Sequence, residues 1–435
     1  MSRSRAGNYI RAGRRDRRCG SRLPRLAGVL TAVILMAGFS PTSAAQAVTT
    51  VRQFAYVSNL DADSVSVIDT ADETVVATVP VGDRPNGIAA LPDGSRVYAI
   101  NFGSDDVSVI STATNTVIGT VDAGTRPADA TATPDGRFLY VADSGSDTVT
   151  VIDTATDAVV DTVAAGDGPV EVAFTPDGRY AYVTDFFAGL AGTVSVIDTA
   201  TRITVATIPV GAYPSGITIT PDGRYVYSTN FGTTTVSVIS TTSNSVVDTV
   251  TVGAAPADAV VGPDGSRVYV ADMFSDAVSV ISTSSNTVVD TIPLSGPAPV
   301  DSGPNGLAIT PDGSRVYVAD TFADTTSMIS TAVGTVADTG DVGSRPTDVD
   351  IARMETGGPS APSSTPARQE SGGVVSSENE NLTGMVATTG DAGVRQKVRD
   401  VHTFVQQVKK RHLDHRAPTR PPKVRRLRLT TRTPS

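Results

Sequence analysis

Four carboxylates occupy one recurring place in this chain of 435 residues. Each lies two residues after a proline that ends a Gly-x-x-Pro segment. They are Asp129, Glu171, Asp258 and Asp348, and the corresponding place elsewhere holds Gly87, Gly216 and Gly306. Carboxylates gathered around one axis raise one another's pKa and offer the oxygen ligands that Ca²⁺ and Mg²⁺ prefer. We therefore expect a ring hydrated by water and no required cofactor, and binding of Ca²⁺ or Mg²⁺ by these four candidate metal ligands is the alternative.

Three arginines stand directly before the same kind of proline. They are Arg84, Arg126 and Arg345. Three guanidinium groups on one face could form a subsite for an anion, and ion pairs with Asp83, Asp129 or Asp348 are the alternative. We also include Tyr213, which precedes Pro214, among the candidate ligand-binding residues.

In five of the repeats, phenylalanines occur in the loop that follows the tyrosine-led segment. They are Phe102, Phe186, Phe187, Phe231, Phe274 and Phe322. An exposed ring could stack on a sugar or a peptide, whereas a ring that belongs to the repeat itself is expected to pack beneath its loop. Phe186 and Phe187 lie in a loop that is longer than its counterparts, so we select these two as ligand-binding residues.

The residues that several kinds of catalysis require are absent from the repeats. The histidines are His402, His412 and His415, all near the C-terminus, and Cys19 is the single cysteine. Residues 48–353 therefore contain no imidazole for general base catalysis, no Ser-His-Asp arrangement and no thiol. These absences favour a binding protein over an enzyme.

The elements that position these residues follow from an internal repeat. A Val-x-Val-Ile segment or its variant ends at Ile68, Ile110, Ile152, Ile197, Ile239, Ile281 and Ile329, so the spacings are 42, 42, 45, 42, 42 and 48 residues. Each repeat contains four short segments rich in Val, Ile, Thr and Tyr, separated by turn residues, six times Pro-Asp-Gly. We predict an all-β fold, a seven-bladed β-propeller of four-stranded antiparallel blades, with residues 347–352 closing the ring against the Tyr56 strand.

The repeats resemble the YVTN-repeat family of seven-bladed β-propellers. The similarity is carried by Tyr56-Val57-Ser58-Asn59, Tyr182-Val183-Thr184-Asp185, Asn101-Phe102-Gly103-Ser104 and Val81-Gly82-Asp83-Arg84-Pro85, and it extends over about residues 54–352. The resemblance implies a propeller of the kind found in secreted and surface-layer proteins, and it implies no particular reaction.

The chain ends differ in composition from the repeats. Residues 1–47 read as a signal peptide with a basic leader, exported by the Sec or the twin-arginine route, and we assign 48–353 to the propeller. A linker rich in Gly, Ser, Pro and Glu follows at 354–393, and 394–435 is a basic tail with a possible amphipathic helix. The tail could contact an anionic polymer, a membrane surface or the propeller, or stay solvated.

Charge narrows the range of partners. Residues 48–353 hold 37 acids and 12 arginines, a net charge of −25, so we expect the propeller not to bind nucleic acid. We predict a secreted, monomeric, non-enzymatic protein that binds a protein or a cell-wall polymer at the cell surface. The alternative is a metal-dependent hydrolase of the lactonase kind, in which the acidic ring holds a Ca²⁺ or Mg²⁺ ion that activates water.

Overall fold

The computed structural model describes residues 50–294 and 302–356. The predicted signal peptide, almost all of the linker, the basic tail and the inserted segment 295–301 lie outside the described residues. No helix in the described part of the chain is long and apolar enough to cross a membrane.

The described residues form seven four-stranded antiparallel sheets, which confirms the predicted propeller. Blade 1 combines both ends of this region and has the strand order β28-β1-β2-β3; the other blades each use four consecutive strands. The strands of blades 1 to 3 are β1 Thr50–Asn59, β2 Ser64–Asp69, β3 Thr74–Pro80, β4 Pro85–Ala90, β5 Arg96–Asn101, β6 Asp106–Ser111, β7 Thr116–Asp122, β8 Pro127–Ala132, β9 Phe138–Asp143, β10 Thr148–Asp153 and β11 Ala158–Ala164.

The remaining strands repeat this order. Blades 4 and 5 contain β12 Pro169–Phe174, β13 Tyr180–Asp185, β14 Thr193–Asp198, β15 Ile203–Pro209, β16 Pro214–Ile219, β17 Tyr225–Asn230, β18 Thr235–Ser240 and β19 Ser245–Thr251. Blades 6 and 7 contain β20 Pro256–Val261, β21 Arg267–Asp272, β22 Ala277–Ser282, β23 Thr287–Pro293, β24 Pro304–Ile309, β25 Arg315–Asp320, β26 Thr325–Ser330 and β27 Thr335–Asp341, and β28 Pro346–Thr356 returns to blade 1. One short 3₁₀ helix, Phe186–Ala188, follows β13.

The ring closes as predicted. Strand β28 pairs with β1 from Asn59↔Pro346 to Thr50↔Thr356, so the pairing extends beyond residues 347–352 and past the predicted domain end at residue 353. Closure leaves the inner strand of every blade covered and only the outer strands as edges. Each outer strand also carries a β-bulge opposite the Val-x-Val-Ile segment, as between Val67 and Ile68 in blade 1, and such bulges hinder pairing with other chains.

The hydrophobic core lies between the blades. Valines and isoleucines of one sheet face those of the next, and the cluster between blades 1 and 2 includes Tyr56, Val67, Val97 and Ile110, all 4% exposed or less. Such burial contributes about 1.5–3 kcal/mol for each large side chain. The repeat thus supplies both faces of every sheet with apolar residues at alternate positions.

The repeated tyrosine joins neighbouring blades. The Tyr56 hydroxyl donates to Asn115 Oδ1 of the next blade at 2.7 Å, and Tyr182 and Tyr227 donate in the same way to Asn244 and Asn286. Between blades 7 and 1, Tyr317 donates to Glu73, which also pairs with Arg315. The acceptor stands in the loop before the outer strand of the next blade, so these tyrosines join neighbouring blades at that loop.

Candidate functional site

A cavity of about 740 Å³ follows the propeller axis. All four predicted metal-binding carboxylates line it, together with Gly87 and Gly306. They reach it because each inner strand has a register irregularity just after its proline, as between Pro169 and Glu171 and between Pro127 and Asp129. Such a bulge redirects the following side chain, here towards the axis. The four predicted residues are therefore brought together at one level of the channel.

Three of the carboxylates bind the backbone of the next blade. Asp348 Oδ2 accepts a hydrogen bond from the Ile88 N–H at 3.0 Å, and Asp258 Oδ2 accepts one from the Leu307 N–H at 2.7 Å. Glu171 accepts from the Ile217 N–H. Each of these donors directly follows one of the glycines, Gly87, Gly306 or Gly216. A carboxylate blade is thus followed by a glycine blade at these three interfaces.

Asp129 departs from this pattern. The next blade carries Glu171 instead of a glycine, and Asp129 Oδ1 is shielded from solvent without a hydrogen-bond partner. On the other side, a Cβ on Gly87 would collide with Asp129 Oδ1, so glycine is needed there. The sequence therefore alternates acid and glycine around the ring except where Asp129 and Glu171 adjoin.

The electrostatics of the ring follow from burial and like charge. Burial, and then the charges of Asp258 and Asp350, raise the pKa of Asp129 well above its usual range. Burial, and then Asp258, Asp129 and Asp348, raise the pKa of Glu171 in the same way. Burial raises the pKa of Asp258 to about 7. The ring thus favours bound protons or a cationic ligand.

A fifth carboxylate, Asp350, was missed by the sequence analysis. It lines the same cavity, its Oδ2 accepts a hydrogen bond from the Ala90 N–H at 2.8 Å, and burial raises its pKa to about 6. The signal was present, because Asp348 and Asp350 are two residues apart and alternate residues of a strand share a face. Among residues 50–294 and 302–356, no three carboxylates converge into a group that could hold a metal ion. The metal assignment remains a prediction.

The arginines occupy unusual backbone positions at the mouth of the channel. The residue before each inter-blade proline has a positive φ, which is 55° at Arg84, 53° at Arg126, 57° at Arg345 and 51° at Tyr213. Glycines occupy the equivalent position in blade 4 (Gly168) and blade 7 (Gly303). Aspartates of neighbouring loops hold this geometry, since Arg84 N–H donates to Asp63 and Arg345 N–H to Asp324. Ala255 has the same conformation at the equivalent position, so the positive φ belongs to the loop of the repeat and not to the arginines alone.

The arginines divide into two arrangements. Arg84 and Arg126 both lie over the ring of Phe102, at 5.8 and 5.9 Å from its centre. Arg345 forms an exposed ion pair with Asp61 at 3.7 Å, a partner that the sequence analysis did not select. Arg84, Phe102 and Arg345 line the cavity, whereas Arg126 does not line it and contacts the Phe102 ring. The arginines thus lie along one part of the mouth.

Aromatic side chains occupy the opposite part of the mouth. Phe186 and Phe187 line the cavity and pack edge to face, with ring centres 5.6 Å apart. Phe187 covers Gly168, whose φ is 63° and where a Cβ would collide with the ring. Tyr213 contacts Phe186 at 5.5 Å between ring centres and stands behind it. All three are held by the lengthened loop, because the Tyr213 N–H donates to the Gly189 carbonyl at 3.0 Å.

Comparisons with known proteins support the fold. Residues 121–292 match the family model for the lactonases, described as a seven-bladed β-propeller, over less than half of the chain. No curated protein sequence matches significantly. The chain is 22% identical to a solved structure of hydrazine synthase from Kuenenia stuttgartiensis, covering 62% of this chain and 95% of that one with a TM-score of 0.57.

Two further solved structures are similar at the level of the fold. A functionally unknown protein from Desulfotomaculum acetoxidans is 19% identical over 68% of this chain and 99% of that one, with a TM-score of 0.57. The dihydro-heme d1 dehydrogenase NirN, in complex with DHE, is 16% identical over 68% of this chain and 74% of that one, with a TM-score of 0.53. At these identities the likeness concerns architecture alone.

Proposed function

We propose that this chain is a secreted, non-enzymatic binding protein that recognises a cell-wall polymer or a surface protein through the mouth of its channel. The observation that supports this is the convergence of Phe186, Phe187, Arg84 and Arg345 on the rim of one cavity that also contains the carboxylate ring. Flat aromatic rings and guanidinium groups around an entrance are suited to holding an extended polar ligand. The fixed β-sheets behind them keep the entrance preorganised.

The location and the assembly belong to the same proposal. The basic leader and the apolar segment at 26–39 are typical of an export signal, and the acidic propeller is suited to a surface rich in cations. The tail at 394–435, with a net charge of +11, would add contacts to anionic polymer or lipid. Closure of the ring removes the inner edge through which copies could pair, which is consistent with a monomer.

The experiment is cosedimentation of the full chain with insoluble bacterial cell-wall polymer. We expect binding that is lost when Phe186→Ala is combined with Phe187→Ala. The matched control is Phe322→Ala, because Phe322 occupies the equivalent loop of blade 7 and is 38% exposed. Equal sedimentation of the Phe186→Ala/Phe187→Ala variant and the wild type would refute the assignment of the rim.

A second candidate is a metal-dependent hydrolase, favoured by the lactonase family match. Carboxylate oxygens are suitable ligands for Ca²⁺ or Mg²⁺. In the described part of the chain, however, they do not converge as a preformed metal group, and no histidine is available for proton transfer. This candidate therefore ranks below binding.

The hydrolase is tested with a panel of lactones. Turnover that depends on Ca²⁺ or Mg²⁺ and is abolished by Glu171→Gln would establish it. No release of acid above the uncatalysed rate, with either cation present, would remove it.

A further inference from the structure

The walls of the axial cavity are largely apolar below its mouth. They include Ala89, Ala130, Val172, Ile217 and Leu307, with the carboxylates projecting between them. An apolar wall interrupted by a few acids favours a ligand that has both a hydrocarbon part and a positive charge. A hydrated inorganic ion would gain nothing from the hydrocarbon surface.

Asp129 gives the cavity a specific acceptor. Asp258 and Asp348 each accept a hydrogen bond from the inner strand of the next blade, whereas the backbone partner of Asp129 is Ala130 of its own strand. The Asp129 Oδ1 is shielded from solvent against Gly87 of the preceding blade, so a ligand can reach only the other oxygen of this carboxylate. Asp129 lines the cavity, and a ligand N–H that approaches from the channel can supply the donor that the next blade does not.

The spacing of the acids distinguishes between kinds of cation. A Ca²⁺ ion needs several oxygens at 2.3–2.6 Å from one point, and within residues 50–294 and 302–356 no three acids come together in this way. A primary ammonium group carries three N–H donors that point in different directions. It can bond to one carboxylate and keep water on its remaining N–H groups, and its alkyl chain can lie along the apolar wall.

We propose that the axial cavity binds a primary alkylammonium group, with Asp129 as its main acceptor and Glu171, Asp258 and Asp348 as its surrounding counter-charges. This rests on the proposed function and specifies its ligand class: a peptide or wall polymer that carries free amines. The amine enters past the rim formed by Phe186, Phe187, Arg84 and Arg345.

The test is isothermal titration calorimetry of the full chain with 1,5-diaminopentane. We expect saturable binding, and no binding of 1,5-pentanediol, which has a similar length but no charge. Calcium chloride is titrated separately. Binding of calcium without binding of the diamine, or equal affinities for the diamine and the diol, would overturn the proposal.

Two variants assign the acceptor. Asp129→Asn should weaken diamine binding at least tenfold and is a mild change for folding, because Asp129 makes no bond to the next inner strand. Asp143→Asn is the control, since Asp143 is buried within blade 3 and bonds to its own sheet. Unchanged diamine affinity in Asp129→Asn would refute the role of that residue.

The two proposals can fail separately. Diamine binding that survives the Phe186→Ala/Phe187→Ala change supports the ammonium site whatever the outcome with wall polymer. Cosedimentation that persists when the diamine produces no heat would retain the rim and overturn the ammonium site.

Discussion

Replacing Asp143 by asparagine should stabilise the propeller above about pH 6. Asp143 is fully buried at the end of β9, where its Oδ1 accepts from the Gly124 N–H at 3.0 Å and its Oδ2 accepts from Thr150 Oγ1 at 2.7 Å. Blade 5 has Asn230 at the same position, and its side chain bonds to the equivalent glycine and hydroxyls. The repeat itself therefore shows that asparagine fits.

The magnitude follows from the pKa. Burial raises the pKa of Asp143 from its ordinary value of 3.8 to about 6. Each pH unit between the two values corresponds to about 1.4 kcal/mol, so ionisation weakens the native state by roughly 3 kcal/mol at most. Because the folded pKa is the higher one, the native state binds the proton more tightly, and stability is full below about pH 4 and falls as the pH rises through 6.

The assay is urea unfolding of both proteins between pH 4 and pH 8. We expect nearly equal free energies of unfolding at pH 4 and an advantage of about 2–3 kcal/mol for Asp143→Asn at pH 8. Asp135→Asn is the control of opposite sign, because the Thr133 hydroxyl lowers the pKa of that exposed turn residue. An Asp143→Asn protein that is less stable than the wild type at pH 8 would refute the reasoning.

Three further predictions concern blade contacts. Tyr317→Phe should lower the free energy of unfolding in urea by roughly 2 kcal/mol, because its hydrogen-bond partner Glu73 is charged. Tyr269→Phe should change that free energy little, since Gly334 stands at the acceptor position. Equal losses in the two variants would contradict the inter-blade role. Gly168→Ala should destabilise the chain and displace Phe187, measured by unfolding and cosedimentation, and retention of both would contradict the packing. A chain truncated before β28 should lose cooperative thermal unfolding and one ending at Thr356 should keep it; cooperative unfolding without β28 would contradict closure.

The fold could be predicted because its determinants are local and repeated. The period of about 42 residues, the turn residues and the complementary ends specify blade number and closure without reference to long-range contacts. The convergence of Asp129, Glu171, Asp258 and Asp348 on one cavity followed from the same periodicity, since equivalent positions in a closed ring lie at one level.

The finer features of the site could not be predicted in this way. The positive φ of Arg84 and Tyr213 depends on hydrogen bonds from loops of adjacent blades. The pairing of Arg345 with Asp61 depends on how the two ends of the chain meet. Asp129 lacks a hydrogen bond from the next blade because of the residue that this blade supplies. Periodicity predicts the features that the repeats share and does not predict such differences between them.

The number of blades itself constrains the channel. Two kinds of residue can alternate without interruption around a closed ring only if the ring has an even number of members. With seven, one junction must break the rule, and here it is the junction between Asp129 and Glu171. This parity defect distinguishes one side of the pore from the rest, because only there do two acids adjoin.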